Sequence, residues 1–69
     1  MEFWLRNDTS ATLRLHTGTS TSTIAGGTTS RYAADVGQEF RLFDGAKGAL
    51  LFEVAPEMDG ETLRLSEFV

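Results

Sequence analysis

Ala11-Thr12-Leu13-Arg14-Leu15-His16 alternates apolar and polar side chains with a period of two, and that alternation decides the fold class. Successive side chains of a strand point to opposite faces, so Leu13 and Leu15 share an inward face while Thr12, Arg14 and His16 face outward. The same period returns at Gln38-Glu39-Phe40-Arg41-Leu42, Leu50-Leu51-Phe52-Glu53-Val54 and Glu61-Thr62-Leu63-Arg64-Leu65. The core is therefore expected from Leu13, Leu15, Phe40, Leu42, Phe52, Val54, Leu63 and Leu65. No stretch has a 3.6-residue period of useful length. These features predict an all-β protein, a small antiparallel β-sandwich of about six or seven short strands, in a single domain over residues 1–69.

Working outward, a strand over 2–6 puts Phe3 and Leu5 on one face and Trp4 on the other. Asn7-Asp8-Thr9-Ser10 is dense in side chains that cap turns, and leads into a strand over 11–17. The Thr-, Ser- and Gly-rich stretch from Thr17 to Ser30 predicts a short strand near 19–25, a turn at Gly26-Gly27 and a strand near 28–34 carrying Tyr32. Asp35-Val36-Gly37 turns the chain into a strand over 38–43. Asp44-Gly45-Ala46-Lys47-Gly48 reads as a hairpin connection to a strand over 49–55, which Pro56 closes because it cannot donate to a ladder. Glu57-Met58-Asp59-Gly60 reads as a second hairpin loop before a last strand over 61–66. The tetrapeptide Thr-Leu-Arg-Leu recurs at 12–15 and 62–65, which the strand alternation accounts for without an internal repeat.

The 69-residue chain has no cysteine, so no disulfide restricts its unfolded state and Cys-based zinc sites are excluded. Its formal net charge of −4 resides wholly in residues 53–69, where five acids face Arg64 alone. Six dispersed Lys and Arg residues do not make a nucleic-acid footprint. No apolar run approaches the roughly 20 residues of a membrane span, and Glu2 stands where a signal peptide would be basic. A cytoplasmic protein that binds neither nucleic acid nor membrane is expected.

The one histidine, His16, reads as a solvated strand residue. Glu57, Asp59 and Glu61 read as acids that keep a loop soluble, since they lack the ligand spacing of a calcium loop. No serine lies in a Gly-x-Ser-x-Gly elbow, and no helix start follows Gly26-Gly27 or Gly45-x-x-Gly48. No enzyme activity, metal or cofactor is expected. Thr17, Thr19, Thr21 and Thr23 would line one face of a single extended strand, the kind of array that templates ice, although a polar edge is the ordinary reading. Arg14, Arg41 and Arg64 are each flanked by apolar residues; where two of their strands are neighbours the arginines form a basic stripe on an outer face, and otherwise they make cross-strand pairs with Glu39, Glu53 and Glu67. Asn7-Asp8-Thr9 matches a glycosylation sequon, a pattern that often arises by chance.

A pattern of strand and turn residues runs from Arg6 to Pro56. It comprises Asn7-Asp8-Thr9, Leu13 and Leu15, Ile24, Gly27-Thr28, Tyr32, Gly37, Phe40-Arg41-Leu42-Phe43-Asp44 and Gly48-Ala49-Leu50-Leu51. This pattern resembles the β-domain of the von Hippel-Lindau tumour suppressor family over about three-quarters of the chain, without a gap from Gly27 to Gly37. The resemblance implies a β-sandwich. In that family the domain is the recognition part of a ubiquitin-ligase subunit and captures a hydroxyproline-bearing peptide with a serine, a histidine and a tryptophan. Ala34, Gln38 and Phe40 stand in the aligned stretch here, so that specificity is not carried over, and the family's helical partner-binding domain has no counterpart in the chain.

What the residues and the resemblance together predict is a non-enzymatic module that presents a loop or sheet edge to a protein or peptide partner. The alternative is a structural subunit that self-assembles by strand pairing between chains, since small β-domains often gain stability by covering an edge. Trp4, Arg41 and Phe43 are the expected contact residues. Trp4 lies opposite Phe3 and Leu5, Phe43 opposite Phe40 and Leu42, and Arg41 shares the outward register of Phe43. Aromatics beside arginine are favoured anchors of binding surfaces.

Overall fold

The computed structural model describes residues 1–18, 20–43 and 47–69, the side chain at 47 excepted. Seven strands form two packed sheets: β1 (Glu2–Arg6), β2 (Leu13–Thr17), β3 (Ser20–Ile24), β4 (Thr29–Ala33), β5 (Glu39–Phe43), β6 (Lys47–Glu53) and β7 (Thr62–Arg64). Short 3-10 helices occupy Pro56–Met58 and Leu65–Glu67. One sheet has the order β4-β1-β7 and the other β3-β2-β5-β6. The all-β sandwich expected from the alternation is the observed fold, and among the described residues no helix is long and apolar enough to cross a membrane.

The inner faces meet in a core of Phe3, Leu5, Leu15, Ile24, Ala34, Phe40, Phe52, Val54 and Leu65. Leu13, Leu42 and Leu63 are half-buried against it rather than enclosed. Aromatic rings fill its centre: Phe40 stacks on Phe52 at 4.9 Å and meets the edges of Phe3 at 5.5 Å and Tyr32 at 5.6 Å. Phe68 closes one side against Phe52 at 5.1 Å. The Tyr32 hydroxyl bridges the two sheets, 2.7 Å from Ser22 Oγ, so this polar end is satisfied inside the sandwich.

Three sequence expectations change. Residues 57–60 do not form a hairpin loop: β7 pairs with β1, not β6, and the pairing is parallel, with Leu5 opposite Leu63 and Arg6 opposite Arg64. The chain crosses between sheets through the 3-10 helix at Pro56–Met58, and Gly60, at a φ of 77° that favours glycine, donates its N–H to Glu2 O at 2.7 Å. The last strand stops at Arg64, and Leu65 is buried from a 3-10 helix instead. The threonines do not form one rank, because Thr17 lies in β2 and Thr21 and Thr23 lie in β3. Thr19, and the hairpin connection at 44–46, lie outside the described residues.

Asn7 organises the end of the sandwich where β1 leaves its sheet. Its side chain is fully buried; the amide donates to Ala11 O at 2.8 Å and Ile24 O at 2.9 Å, while its oxygen accepts from Thr9 N–H at 3.1 Å. With both amide hydrogens spent in the interior, the sequon is closed to modification in the folded chain. Gly26 packs against this turn so tightly that a Cβ would lie 2.9 Å from Thr9 O.

Asp8 ties the same turn to the C-terminal 3-10 helix, accepting from Ser66 Oγ at 2.7 Å and Ser66 N–H at 2.9 Å. Those two bonds hold its carboxyl below the ordinary carboxylate range, the hydroxyl bond having the larger effect. A depressed folded-state pKa adds stability that is present above the unfolded carboxylate's pKa and is lost as pH falls through the folded one. Thermal melts from neutral to acidic pH should therefore show a small fall in melting temperature in the wild type that Asp8→Asn reduces. Indistinguishable pH profiles would mean that the clamp adds nothing.

Candidate functional site

The strand register sorts every arginine onto one of the two outer sheet faces. On β1, Glu2, Trp4 and Arg6 alternate with buried Phe3 and Leu5. Trp4 lies opposite Arg31 of β4 and Thr62 of β7, and Arg6 lies opposite Thr29 and Arg64. Half-buried Trp4 is thus central to the three-stranded sheet's outer face, with Arg6, Arg31 and Arg64 around it. These arginines are loosely held. Arg31 and Arg64 are each 3.7 Å from a carboxylate (Glu2 and Glu67), with about two-thirds of their side chains exposed, and Arg6 reaches Gly27 O and Thr29 Oγ1 at 3.3 Å. Exposed pairs of this kind contribute about 0–1 kcal/mol and leave the guanidinium free to change partner.

The outer face of the four-stranded sheet holds Arg14, His16, Arg41 and Phe43. The Arg14 guanidinium lies 4.9 Å above the Phe43 ring, and the His16 ring is 6.2 Å from it. Arg41 lies opposite His16. It is bound by its own strand and the next: Nε and Nη2 donate to Glu39 Oε1 at 3.1 and 3.0 Å, and Nη1 donates to Gly48 O at 3.3 Å. A shallow cavity of about 210 Å³ is lined by His16, Gly18, Gln38, Glu39 and Arg41. His16 Nδ1 lies 3.2 Å from Ser20 O, a carbonyl oxygen that can only accept. Among the described residues the cavity lining has no hydroxyl or thiol side chain, and no three His, Cys, Asp or Glu side chains converge as a metal site.

The expected trio of Trp4, Arg41 and Phe43 is therefore divided. Arg41 and Phe43 share a face, whereas Trp4 lies on the opposite side of the sandwich among Arg6, Arg31 and Arg64, neighbours that no local pattern links to it. Of the expected Arg14, Arg41 and Arg64 stripe, Arg14 and Arg41 share one outer face on the neighbouring strands β2 and β5, whereas Arg64 belongs to the other sheet. Of the cross-strand pairs expected in its place, Glu39 reaches Arg41 within one strand, Glu67 reaches Arg64 three residues away, and Arg14 covers an aromatic ring. The exposed large hydrophobics among the described residues, Val36, Leu50 and Val69, lie in separate segments.

Charge is also segregated along the strands. Among the described side chains, Glu2, Asp35 and Glu39 lie at the same end of the sandwich as Glu53, Glu57, Asp59 and Glu61, and the mid-strand Arg31 and Arg41 offset them to a side-chain net of −5. At the other end, among the described side chains, Arg6, Arg14 and Arg64 outnumber Asp8 and Glu67, a net of +1. Compared with family models, curated proteins and solved structures, the chain gives no significant match in any of the three.

Proposed function

We propose that this chain is a non-enzymatic protein-binding module that engages an acidic segment of a partner through the outer face of its three-stranded sheet. The observation that carries this reading is the half-buried Trp4 in register with Arg31 and flanked by Arg6 and Arg64. Tryptophan and arginine are the residues most enriched among interface side chains whose truncation is costly, and guanidinium groups match carboxylates geometrically. The arginines of this face are weakly paired, so an incoming carboxylate displaces little. The likeness of residues 6–56 to the von Hippel-Lindau β-domain is part of the same reading, as a sandwich that presents a surface to a peptide. Hydroxyproline capture is not part of it.

Trp4 is the chain's one tryptophan, so its fluorescence reports directly on this face. Titration with acidic peptides that carry an aromatic residue is expected to give a saturable spectral shift that weakens with salt. Trp4→Ser should weaken capture of such a peptide about thirtyfold, the equivalent of 2 kcal/mol, with little change in melting temperature. The paired charge reversals Arg31→Glu and Arg64→Glu should abolish the shift. If Trp4→Ser collapsed the fold while capture persisted at low temperature, Trp4 would be a packing residue and the proposal would fail.

A further inference from the structure

We infer that β3 is a self-pairing edge, through which two copies of the chain join antiparallel to make one continuous eight-stranded sheet. This inference is independent of the Trp4 face, since it concerns the other sheet.

Among the described residues the outermost strands of the two sheets are β4, β7, β3 and β6. Exposed edges template unwanted pairing, and folded proteins blunt them with charge, bulges, shortness or proline. Three of the four carry such a device. Arg31 is the central residue of β4, so antiparallel pairing of β4 with its own copy would set arginine against arginine. β6 is irregular, with register shifts against β5 on both sides of Arg41. β7 is only three residues long and runs into a 3-10 helix. β3 has none of these features. Its sequence, Ser-Thr-Ser-Thr-Ile, is uncharged and free of proline, and it pairs with β2 in unbroken register over its full length.

Ladder geometry makes this edge complementary to itself. Only two residues separate the paired Thr17 and Ser20, so that pair is hydrogen-bonded, and alternation gives the same status to Leu15–Ser22 and Leu13–Ile24. The backbone N–H and C=O groups of Thr21 and Thr23 therefore point away from β2, and no other described bond reaches them. An antiparallel copy centred on Ser22 sets Thr21 opposite Thr23 of the second copy, and Thr23 opposite its Thr21. All four outward donors and all four outward acceptors are then paired, and threonine meets threonine on the outer face, a favourable cross-strand contact. Ser22 is held on the inner side by Tyr32. The charge segregation selects the same direction: antiparallel pairing sets the −5 end of one copy beside the +1 end of the other. A parallel arrangement would bring the acidic ends together.

Charge exchange on the edge tests the inference. The purified chain is expected to reach twice its monomer mass in a sedimentation series extended to millimolar concentration. The double variants Thr21→Glu with Thr23→Glu, and Thr21→Lys with Thr23→Lys, are each expected to stay monomeric, because like charges face each other across the junction. Mixing the two should restore the dimer. Circular dichroism checks that each variant keeps the strand fold. In the wild type, amide exchange at Thr21 and Thr23 should slow as concentration rises, a readout that needs no variant. A wild type monomeric across the series, variants that still dimerise, folded variants that do not recombine, or exchange at these amides independent of concentration would each overturn the inference. Trp4→Ser should leave dimerisation intact, so loss of the dimer in that variant would place the junction on the other sheet and overturn it as well.

Discussion

Phe40→Ala is expected to lower the stability by about 3–5 kcal/mol, the range for truncating a buried aromatic ring. Phe40 is 1% exposed and touches three other rings, Phe3, Tyr32 and Phe52, so its removal empties the centre of the sandwich. Those rings come from both sheets and cannot all close over the space at once. Domains have only about 5–15 kcal/mol of stability in total, and one of this size lies toward the lower end. The variant should therefore be largely unfolded near physiological temperature. Urea denaturation followed by circular dichroism measures the effect: a lower midpoint at unchanged slope is a loss of stability alone. Leu42→Ala should cost clearly less, since Leu42 is only half-buried. Equal costs for the two would mean that the aromatic cluster is not the centre of the core.

Asn7→Ala is the second large effect, at about 2–4 kcal/mol: the buried Ile24 O loses its donor, at about 1–3 kcal/mol, and Ala11 O, to which Thr9 Oγ1 also donates at 3.2 Å, loses one of two donors, at about 1 kcal/mol. The Asn7 amide joins Ala11 O and Ile24 O, so the turn after β1, the approach to β2 and the end of β3 all depend on it. Asn7→Asp should be worse at neutral pH, because a buried carboxylate would replace the amide donors facing two carbonyl oxygens. Acidification should restore part of the loss by protonating that carboxyl. A comparison of urea midpoints for wild type and both variants at neutral and acidic pH distinguishes these outcomes. If Asn7→Asp matched the wild type at neutral pH, the amide would not be bonded as described.

The strands were legible because a half-buried strand writes its two faces directly into alternate residues. Leu15, Phe40, Phe52, Val54 and Leu65 of the core expected from alternation are buried, Leu13, Leu42 and Leu63 of it are half-buried, and Phe3 and Leu5 share the face of the first strand that joins them. Even the Thr- and Ser-rich region revealed strands near 19–25 and 28–34, observed at Ser20–Ile24 and Thr29–Ala33. The destination of the last strand was not legible. Asp59-Gly60 is a good turn in either topology, and nothing in Thr62-Leu63-Arg64 says whether its neighbour is β6 or β1. Leu65 kept the period of two by coincidence, since a 3-10 helix delivers it to the same core.

The candidate site divides along the same line. That Trp4 and Phe43 face outward follows from strand period alone, because each is flanked by a residue that the core needs. Which arginines accompany them does not, because a side chain's neighbours across a sheet depend on strand order and register. The expected union of Trp4 with Arg41 and Phe43 failed because β1 and β5 belong to different sheets. Local sequence by itself determined the all-β class, most of the core and the outward aromatics, since these depend on period, turn chemistry and hydrophobic burial. Tertiary structure alone decided the parallel β1–β7 pair, the arginines around Trp4, the gathering of Glu2, Asp35 and Glu39 with the acidic 53–61 segment, and the one edge left unprotected. Each of these depends on contacts between residues far apart in the chain, where competing pairings of similar local quality are separated only by the packing of the whole molecule.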